Sequence, residues 1–226
     1  MKELILEKKW EYGKKIPSEN ELAELFGVNR LTVRIALQRL HALGIVDIRV
    51  GDGTYVKKLD LESHMQDLSD FYINDKTMQD VLEFRLALET DCIILAAQRR
   101  TDEQLEQLHE LCMAFQKETQ EYHLRRYQDK AAAEQHFFNT VDLSMEIHTL
   151  LCVMAQNDLM SYAFFVAKEP ARRHMLSNAS QRINDVDENG NNVWAALWLK
   201  LYEHLKNRDA ENARLCLRQL IELKKA

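Results

Sequence analysis

The most informative stretch of the chain lies near its N-terminus, where residues 17–40 read PSENELAELFGVNRLTVRIALQRL. Ser18 is a favourable N-cap, and Glu21, three positions later, completes the pattern of a capping box. Gly27 supplies the backbone freedom that a tight turn between two helices needs. Asn29 is a suitable N-cap for a second helix. The stretch therefore predicts two short helices joined by a glycine turn.

The second of these helices has one apolar face and one polar, basic face. Its apolar residues recur at helical spacing and are Val33, Ala36, Leu37 and Leu40. The opposite face begins with Arg30, Thr32 and Arg34. The N-terminal part of a recognition helix enters the DNA major groove, where Arg can donate two hydrogen bonds to O6 and N7 of guanine. We therefore predict that these three residues contact DNA.

A glycine-tipped hairpin follows the helix pair, because residues 44–56 read GIVDIRVGDGTYV. Apolar and polar residues alternate as in short strands, and Gly51 to Gly53 form a turn signal. Arg49 could supply charge to a phosphate. A plain helical hairpin with solvated charges would also explain residues 17–40. The capped helices, the basic helix start and the hairpin together favour a winged helix-turn-helix that binds DNA.

Length and charge indicate two domains of unequal character. The 226 residues favour two domains over one. Residues 1–60 carry a net charge of +2 and residues 61–226 one of −8, which together give −6. A mildly acidic protein with a slightly basic N-terminal end fits a sensor that carries a DNA-binding domain. It does not fit a coat protein that binds nucleic acid without sequence preference.

Cysteine usage and hydropathy place the protein in the cytoplasm by expectation. The four cysteines lie in apolar helical contexts without a CxxC pair, so we expect buried, reduced thiols; they are Cys92, Cys112, Cys152 and Cys216. No apolar run approaches the roughly 18 residues of a membrane span. The charged N-terminus lacks a signal peptide. Residues 2–11 predict a short first helix, and we expect the domain to begin slightly upstream.

Beyond Lys58 the chain has few helix breakers, since only Gly190 and Pro170 occur there. The hydrophobic period is helical. Predicted helices span 61–74, 77–98, 101–123, 126–145, 147–166, 170–183, 191–207 and 209–225. The sequence therefore predicts a mainly α protein. Residues 1–58 form a winged helix-turn-helix with a small two-stranded wing, and residues 59–226 form an all-helical bundle of six to seven helices for effector binding and dimerisation.

Both ends of the chain resemble a known family. Residues 16–40 resemble the DNA-binding signature of GntR-type bacterial repressors. Residues 81–89 (VLEFRLALE) and 101–105 (TDEQL) resemble the start of the FCD-type helical effector domain of the FadR branch. Residues 209–213 resemble the start of its last helix. The resemblance implies a homodimeric transcription regulator that reads a palindromic operator and responds to a small ligand in its helical domain.

The resemblance also implies roles for individual residues of the N-terminal domain. Arg30 and Arg34 would read bases, and Gly51 would let the wing approach the minor groove. Residues that would hold phosphates or base edges are Asn20, Asn29 and Thr32. The family commonly has Arg where this chain has Asn20.

Many members of this branch bind a divalent metal through an Asp and three His. Aligned by the phenylalanine that precedes the first His, the matching positions hold Glu134, Phe138, Trp198 and Leu220. Without the imidazoles we expect no metal and no other cofactor. A shifted alignment leaves open a rearranged site that uses His136, His174 or His204.

These replacements predict an apolar effector cavity, as in the fatty-acyl-responsive members. Arg85 could clamp an effector anion there, although an intrahelical pair with Glu89 is the simpler interpretation. The predicted effector-binding residues are Arg85, Glu134, Phe138, Arg173 and Trp198.

The sequence thus predicts a ligand-responsive, sequence-specific DNA-binding transcription regulator, a homodimeric repressor whose effector is a small organic acid or an acyl-type anion. Its partners would be double-stranded operator DNA, the effector and a second copy, with no membrane. One alternative is a metal-dependent sensor of organic or sugar acids in the same family. Another is a helical protein-interaction adaptor without operator binding. No nucleophile elbow, phosphate loop or HExxH motif is present, so we do not expect an enzyme.

Overall fold

The computed structural model describes residues 1–222, apart from the side chains of Glu62 and Asp70. This part of the chain holds ten helices and one two-stranded sheet. The chain divides into two compact units, Met1–His64, called the head below, and Met65–Ala226, called the helical unit. The predicted boundary after residue 58 stays a prediction. Within the described residues, no helix combines the length and apolar character needed to cross a membrane.

The head contains the predicted helix pair and wing. Its elements are α1 (Lys2–Leu6), α2 (Glu19–Phe26), α3 (Arg30–Ala42), β1 (Val46–Arg49) and β2 (Gly53–Val56). The strands are antiparallel, with Val46 opposite Val56 and Arg49 opposite Gly53. A small apolar core holds the elements together and contains Ile16, Leu22, Val33, Leu37 and Val56. The winged helix-turn-helix prediction is confirmed, although α1 is shorter than the predicted span 2–11.

Local capping explains where the two central helices begin. The Ser18 N–H donates to Glu21 Oε2 at 2.7 Å, and the Glu21 N–H donates to Ser18 Oγ at 3.4 Å, which completes the capping box. Gly27 ends α2 in the left-handed conformation, with φ of 63°. The Asn29 side chain then accepts from the Thr32 N–H at 2.8 Å and starts α3. The predicted caps and the glycine turn are confirmed.

As far as residue 222, the helical unit contains seven helices, the first of which begins within the head. They are α4 (Leu61–Tyr72), α5 (Asp75–Arg99), α6 (Asp102–Arg125), α7 (Lys130–Met154), α8 (Asp158–Asn184), α9 (Val193–Lys206) and α10 (Ala210–Glu222). α5 packs against α7, α8 and α10, whereas α6 packs against α7 and α9. Trp194 and Trp198 are the largest fully buried side chains of the core. The prediction of a helical bundle is confirmed.

Several helix boundaries differ from the prediction. The break expected at residue 146 is wrong, because α7 continues to Met154. The chain turns later, where Gln156 takes a φ of 50° and Asn157 caps α8 through a bond from the Met160 N–H. α5 begins after the cap Asn74 rather than at 77. Residues 223–225 of the last predicted helix lie outside the described residues.

Pro170 was expected to begin a helix, and that expectation is wrong because it lies buried inside α8. A proline has no N–H, so the carbonyl of Val166, four residues earlier, lacks its usual helical donor. The hydroxyl of Tyr72, at the end of α4, donates to this carbonyl at 2.6 Å. A tertiary hydrogen bond thus compensates for the one that proline removes.

Candidate DNA-binding surface and effector cavity

The structure exposes every residue of the head that was predicted to contact DNA. They are Asn20, Asn29, Arg30, Thr32, Arg34, Arg49 and Gly51. Arg30 and Arg34 lie one turn apart at the start of α3. Asn29 and Thr32 contact each other, since the Thr32 hydroxyl donates to Asn29 Oδ1 at 3.0 Å. None of these contacts tests whether the seven residues bind DNA, so their roles in DNA binding stay predictions.

A carboxylate that was not singled out in the sequence, Glu19, joins the two arginines. Its Oε2 accepts from Arg30 Nε at 2.7 Å and from Arg34 Nη2 at 2.9 Å, and its Oε1 accepts from Arg34 Nε at 2.9 Å. Hydrogen bonds from Arg34 and then Arg30 lower the pKa of Glu19 to about 2. The carboxylate is therefore ionised at neutral pH.

The wing presents one further arginine. The Arg49 Nε donates to Asp47 Oδ2 at 3.0 Å, and its guanidinium lies 4.2 Å from the centre of the Tyr55 ring. The hydrogen bond that Arg49 donates to Asp47 raises the pKa of Arg49. Gly51, at the exposed tip, has φ of 79°, a conformation that favours glycine. The wing therefore holds a positive charge near Gly51, a tip residue without a side chain.

The helical unit contains a small, partly open cavity between α6, α7, α8 and α9, called the α6–α9 cavity below. Its volume is about 20 Å³, which is room for roughly one water molecule. Its walls are formed by Phe115, Thr140, Val141, Ser144, Met175, Ala179, Arg182, Ile183, Trp194 and Trp198. The lining is mostly apolar but includes one guanidinium and two hydroxyl groups.

A closed ring of buried polar groups lies beside this cavity. The Arg85 Nε donates to Glu89 Oε1 at 2.7 Å, one turn along α5. The Arg85 Nη2 lies 3.0 Å from His148 Nε2, and His148 Nδ1 lies 2.5 Å from Glu89 Oε2. His148 also packs edge-on against Trp198, with ring centroids 5.0 Å apart. The pair predicted between Arg85 and Glu89 is present.

The donors in this ring require a neutral imidazole. Arg85 can only donate, so His148 Nε2 accepts and its Nδ1–H donates to Glu89. Burial lowers the pKa of His148 to about 4, against the opposing charge of Glu89. Burial raises the pKa of Glu89, but the charge of Arg85 and the hydrogen bonds from His148 and Arg85 outweigh it and bring the pKa to about 2. Arg85 and Glu89 are thus both charged, and their opposite charges cancel.

Arg182 adds a second buried positive charge. Its Nη2 donates to the Leu220 carbonyl at 2.8 Å, and its guanidinium lies 4.9 Å from the Trp194 ring centre. Burial and the nearby charge of Arg85 lower the pKa of Arg182 to about 9. At neutral pH Arg182 is still charged. Arg85, Glu89 and Arg182 therefore have a net charge of +1 together, since His148 is neutral.

Several buried polar atoms in this region have no hydrogen-bond partner among the residues that the structure describes. They include Arg85 Nη1, Ser144 Oγ, His174 Nδ1, Arg182 Nε and Trp194 Nε1. Three of these atoms belong to N–H donors of Arg and Trp. Buried donors without acceptors are costly, and an anion that accepts from them would relieve that cost. The chemistry of the cavity therefore suits a small carboxylate.

The structure divides the predicted effector-binding residues between this cavity and the surface. Trp198 lines the cavity and Arg85 lies in the adjoining ring. Glu134, Phe138 and Arg173 are exposed, and none of them lines the cavity. The Nε of Arg173 donates to Glu169 at 3.2 Å.

The expectation that Phe138 lies with Trp198 needs correction, because His148 of the same helix packs against Trp198 instead. Neither His148 nor Arg182 was singled out in the sequence. The available signal was a polar residue on a buried helical stripe, since Ser144 and His148 share one face of α7.

The residues beside the cavity do not fit the metal site that the family resemblance implies. Both ring nitrogens of His148 are engaged by Glu89 and Arg85, and the other two positions hold Trp198 and Leu220. Among the described residues, no three His, Cys, Asp or Glu side chains are grouped so that they could hold a metal ion. His136 contacts Glu118 at 2.7 Å and His204 contacts Asp209 at 3.6 Å. The absence of a metal stays a prediction.

Comparisons with known proteins find matches for both the head and the helical unit. Residues 1–56 match the family of bacterial regulatory proteins described as the gntR family, and residues 80–223 match the FCD domain. The transcriptional regulator LutR of Bacillus subtilis is 39% identical over 99 residues, 43% of this chain and 45% of LutR. The transcriptional repressor NanR of Cronobacter sakazakii is 32% identical over 112 residues, 48% of this chain and 43% of NanR. The chain thus spans less than half the length of these two relatives.

A solved structure shows the same fold. Streptococcus agalactiae GntR superposes with a TM-score of 0.67 at 24% identity, over 97% of this chain and 92% of that chain. The gntR description denotes regulatory proteins and not enzymes, in agreement with the prediction. The chain belongs to the GntR family of DNA-binding transcription regulators, with an FCD domain as its helical unit.

Proposed function

We propose that this protein is a repressor that binds a palindromic operator as a homodimer and is controlled by a small organic acid. One observation carries the proposal: a capped recognition helix presents Arg30 and Arg34 in solvent at its N-terminal end. That end of the helix enters the major groove in this class of domain. The NanR relative is named a repressor, which supports the sign of the regulation.

The wing complements the recognition helix. Arg49 lies at the end of β1 and Gly51 at the exposed tip, so the wing can contact a phosphate and approach a groove edge. Binding should weaken steeply with added salt, because each phosphate contact releases counterions.

The test of DNA binding is fluorescence anisotropy with a duplex selected by the wild-type protein and a scrambled duplex of equal length. Arg34→Ala should reduce the preference for the selected duplex by roughly tenfold to a hundredfold, because a bidentate base contact is lost. Arg39→Ala is the matched control: the same charge is removed from the last turn of α3. It should change both affinities alike. A wild-type protein that ignores duplex sequence contradicts the proposal, and light scattering tests the dimer.

The effector site of the proposal is the α6–α9 cavity. Arg182 Nε and Trp194 Nε1 are buried donors at its wall, and the region has surplus positive charge. The small volume favours a short carboxylate over a long acyl chain. Because about 20 Å³ admits only about one water, an effector must separate the surrounding helices as it binds. A ligand that prefers the separated arrangement shifts the population between two forms of the regulator.

The test of the effector site is a thermal-shift screen of short carboxylic acids, each paired with its neutral amide. An acid that binds the folded protein should raise the melting temperature, whereas its amide should not. Arg182→Met should abolish the shift, and Arg173→Met is the control because Arg173 is exposed on the same helix. If Arg173→Met abolished the shift and Arg182→Met preserved it, the surface and not the cavity would bind the acid.

A further inference from the structure

Glu19 holds both recognition arginines from a different helix, and the proposed function assigns it no part in reading DNA. Glu19 is the first residue of α2, whereas Arg30 and Arg34 begin α3. Three hydrogen bonds of 2.7 to 2.9 Å connect the one carboxylate to the two guanidinium groups. The link crosses the helix-turn-helix angle next to the expected contact with bases.

The charges explain why this arrangement is stable in solvent. Arg30 and Arg34 are one helical turn apart, and like charges at this spacing repel each other. Glu19 lies against both and has a side chain only 25% exposed, compared with 59% for Arg30 and 48% for Arg34. The carboxylate thus sits behind the arginines and leaves them on the outer surface.

The pattern of donors shows which edges of the arginines remain available. Glu19 engages the Nε of both arginines and one N–H of Arg34 Nη2. The outer edge of each guanidinium, formed by the Nη groups, still carries N–H donors. A guanine contact needs two parallel donors from one guanidinium. Each arginine can therefore hold Glu19 with its inner edge and a base with its outer edge.

We propose that Glu19 is a specificity-determining positioning residue, which holds Arg30 and Arg34 in the orientation that reads bases. This inference rests on the proposed DNA binding. Arginines held in advance lose less conformational freedom when they bind. Glu19 also repels phosphate, and this repulsion weakens binding to any DNA sequence. Its removal therefore strengthens binding to unrelated DNA and weakens discrimination.

The experiment compares the wild-type protein with Glu19→Gln in selection from a randomised duplex pool, followed by anisotropy. The preference for the selected duplex over a scrambled duplex should fall by roughly tenfold in Glu19→Gln, because two arginine side chains lose their support. Affinity for the scrambled duplex should rise. Glu24→Gln is the matched control, since it makes the same charge change at an exposed position of α2. It should leave the preference unchanged.

A double-mutant cycle separates positioning from a general structural role. If Glu19 acts through Arg34, Glu19→Gln should reduce the preference for the selected duplex less in an Arg34→Ala background than in the wild type. Fully additive losses in this background and in an Arg30→Ala background would show that Glu19 acts by another route and would overturn the inference. Thermal unfolding of each variant checks that the head remains folded.

The remaining outcomes separate this inference from the proposed function. If Glu19→Gln tightens binding to selected and scrambled duplexes equally, Glu19 only repels DNA and the inference is wrong, while the proposed function stands. If the wild-type protein selects no sequence, or Arg34→Ala keeps the wild-type preference, the proposed function fails and the inference fails with it.

Discussion

The head and the helical unit each contain an ion pair between an arginine and a glutamate, one exposed to solvent and the other buried. In the head, Arg34 is about half exposed and is held by Glu19 across two helices. In the helical unit, Arg85 is fully buried and is held by Glu89 one turn along its own helix. A solvated pair mainly orients side chains, because water screens its energy. A buried pair affects folding strongly, because an unpartnered buried charge is costly.

The largest effect should come from removing the buried carboxylate. Glu89→Ala leaves Arg85 and Arg182 without a balancing charge and should lower the free energy of unfolding by about 3–5 kcal/mol. Chemical denaturation followed by tryptophan fluorescence measures this, since two of the three tryptophans lie in the helical unit. The control is Glu211→Ala, which breaks an exposed pair with Arg214 and should change little. Equal effects of the two variants would remove the contrast between buried and solvated pairs.

A second effect should appear as acid destabilisation of the helical unit. Burial lowers the pKa of His148 from 6.5 to about 4, so between these values the unfolded chain binds a proton that the folded chain does not. Stability is therefore lost as the pH falls from 6.5 to 4, by about 3 kcal/mol at most.

The measurement is the free energy of unfolding in this pH window for the wild type and for His148→Gln. The variant lacks the titrating ring and should show a flatter dependence on pH. An unchanged slope in the variant would show that other groups cause the acid sensitivity.

A smaller effect should follow from the loss of a cap in the head. Ser18→Ala removes the side-chain acceptor of the capping box and should cost about 1 kcal/mol of local stability in α2. Hydrogen exchange of the α2 amides measures this, and Ser180→Ala, an exposed serine inside α8, is the control. Protection of α2 that is as high in Ser18→Ala as in the wild type would show that tertiary packing alone positions the helix.

The smallest effect should come from metal removal. Because His148 is engaged on both nitrogens, purified protein should hold less than one equivalent of metal, and a chelator should leave the melting temperature unchanged. Elemental analysis decides the question. Stoichiometric zinc or nickel would contradict the interpretation that a carboxylate, and not a metal, is bound in the helical unit.

The head could be predicted in detail because its signals are local. The Ser18 and Glu21 box, Gly27 and Asn29 each act within a few residues, and their contacts follow the sequence pattern. The cavity could be predicted only in part, because α6, α7, α8 and α9 bring its residues together from distant segments.

The limits of the prediction can be traced to particular residues. Arg85 and Glu89 are one turn apart on one helix, so their pair could be predicted. His148 lies 63 positions from Arg85 in the sequence, so no local pattern indicates that it completes the ring. The unbroken passage of α8 through Pro170 was missed for a similar reason, since the compensating donor Tyr72 is 94 positions from its acceptor Val166.

The hydrogen bond from Tyr72 to Val166 has a mechanical consequence. Pro170 leaves the Val166 carbonyl free for Tyr72, the last residue of α4, and α4 is the helix that follows the wing. Further along, α8 continues without interruption to Arg182 at the cavity wall. Under the proposed regulation, a tilt of α8 that admits an acid also displaces the oxygen that anchors Tyr72. Pro170 thereby couples a change in the width of the cavity to a movement of the C-terminal end of α4.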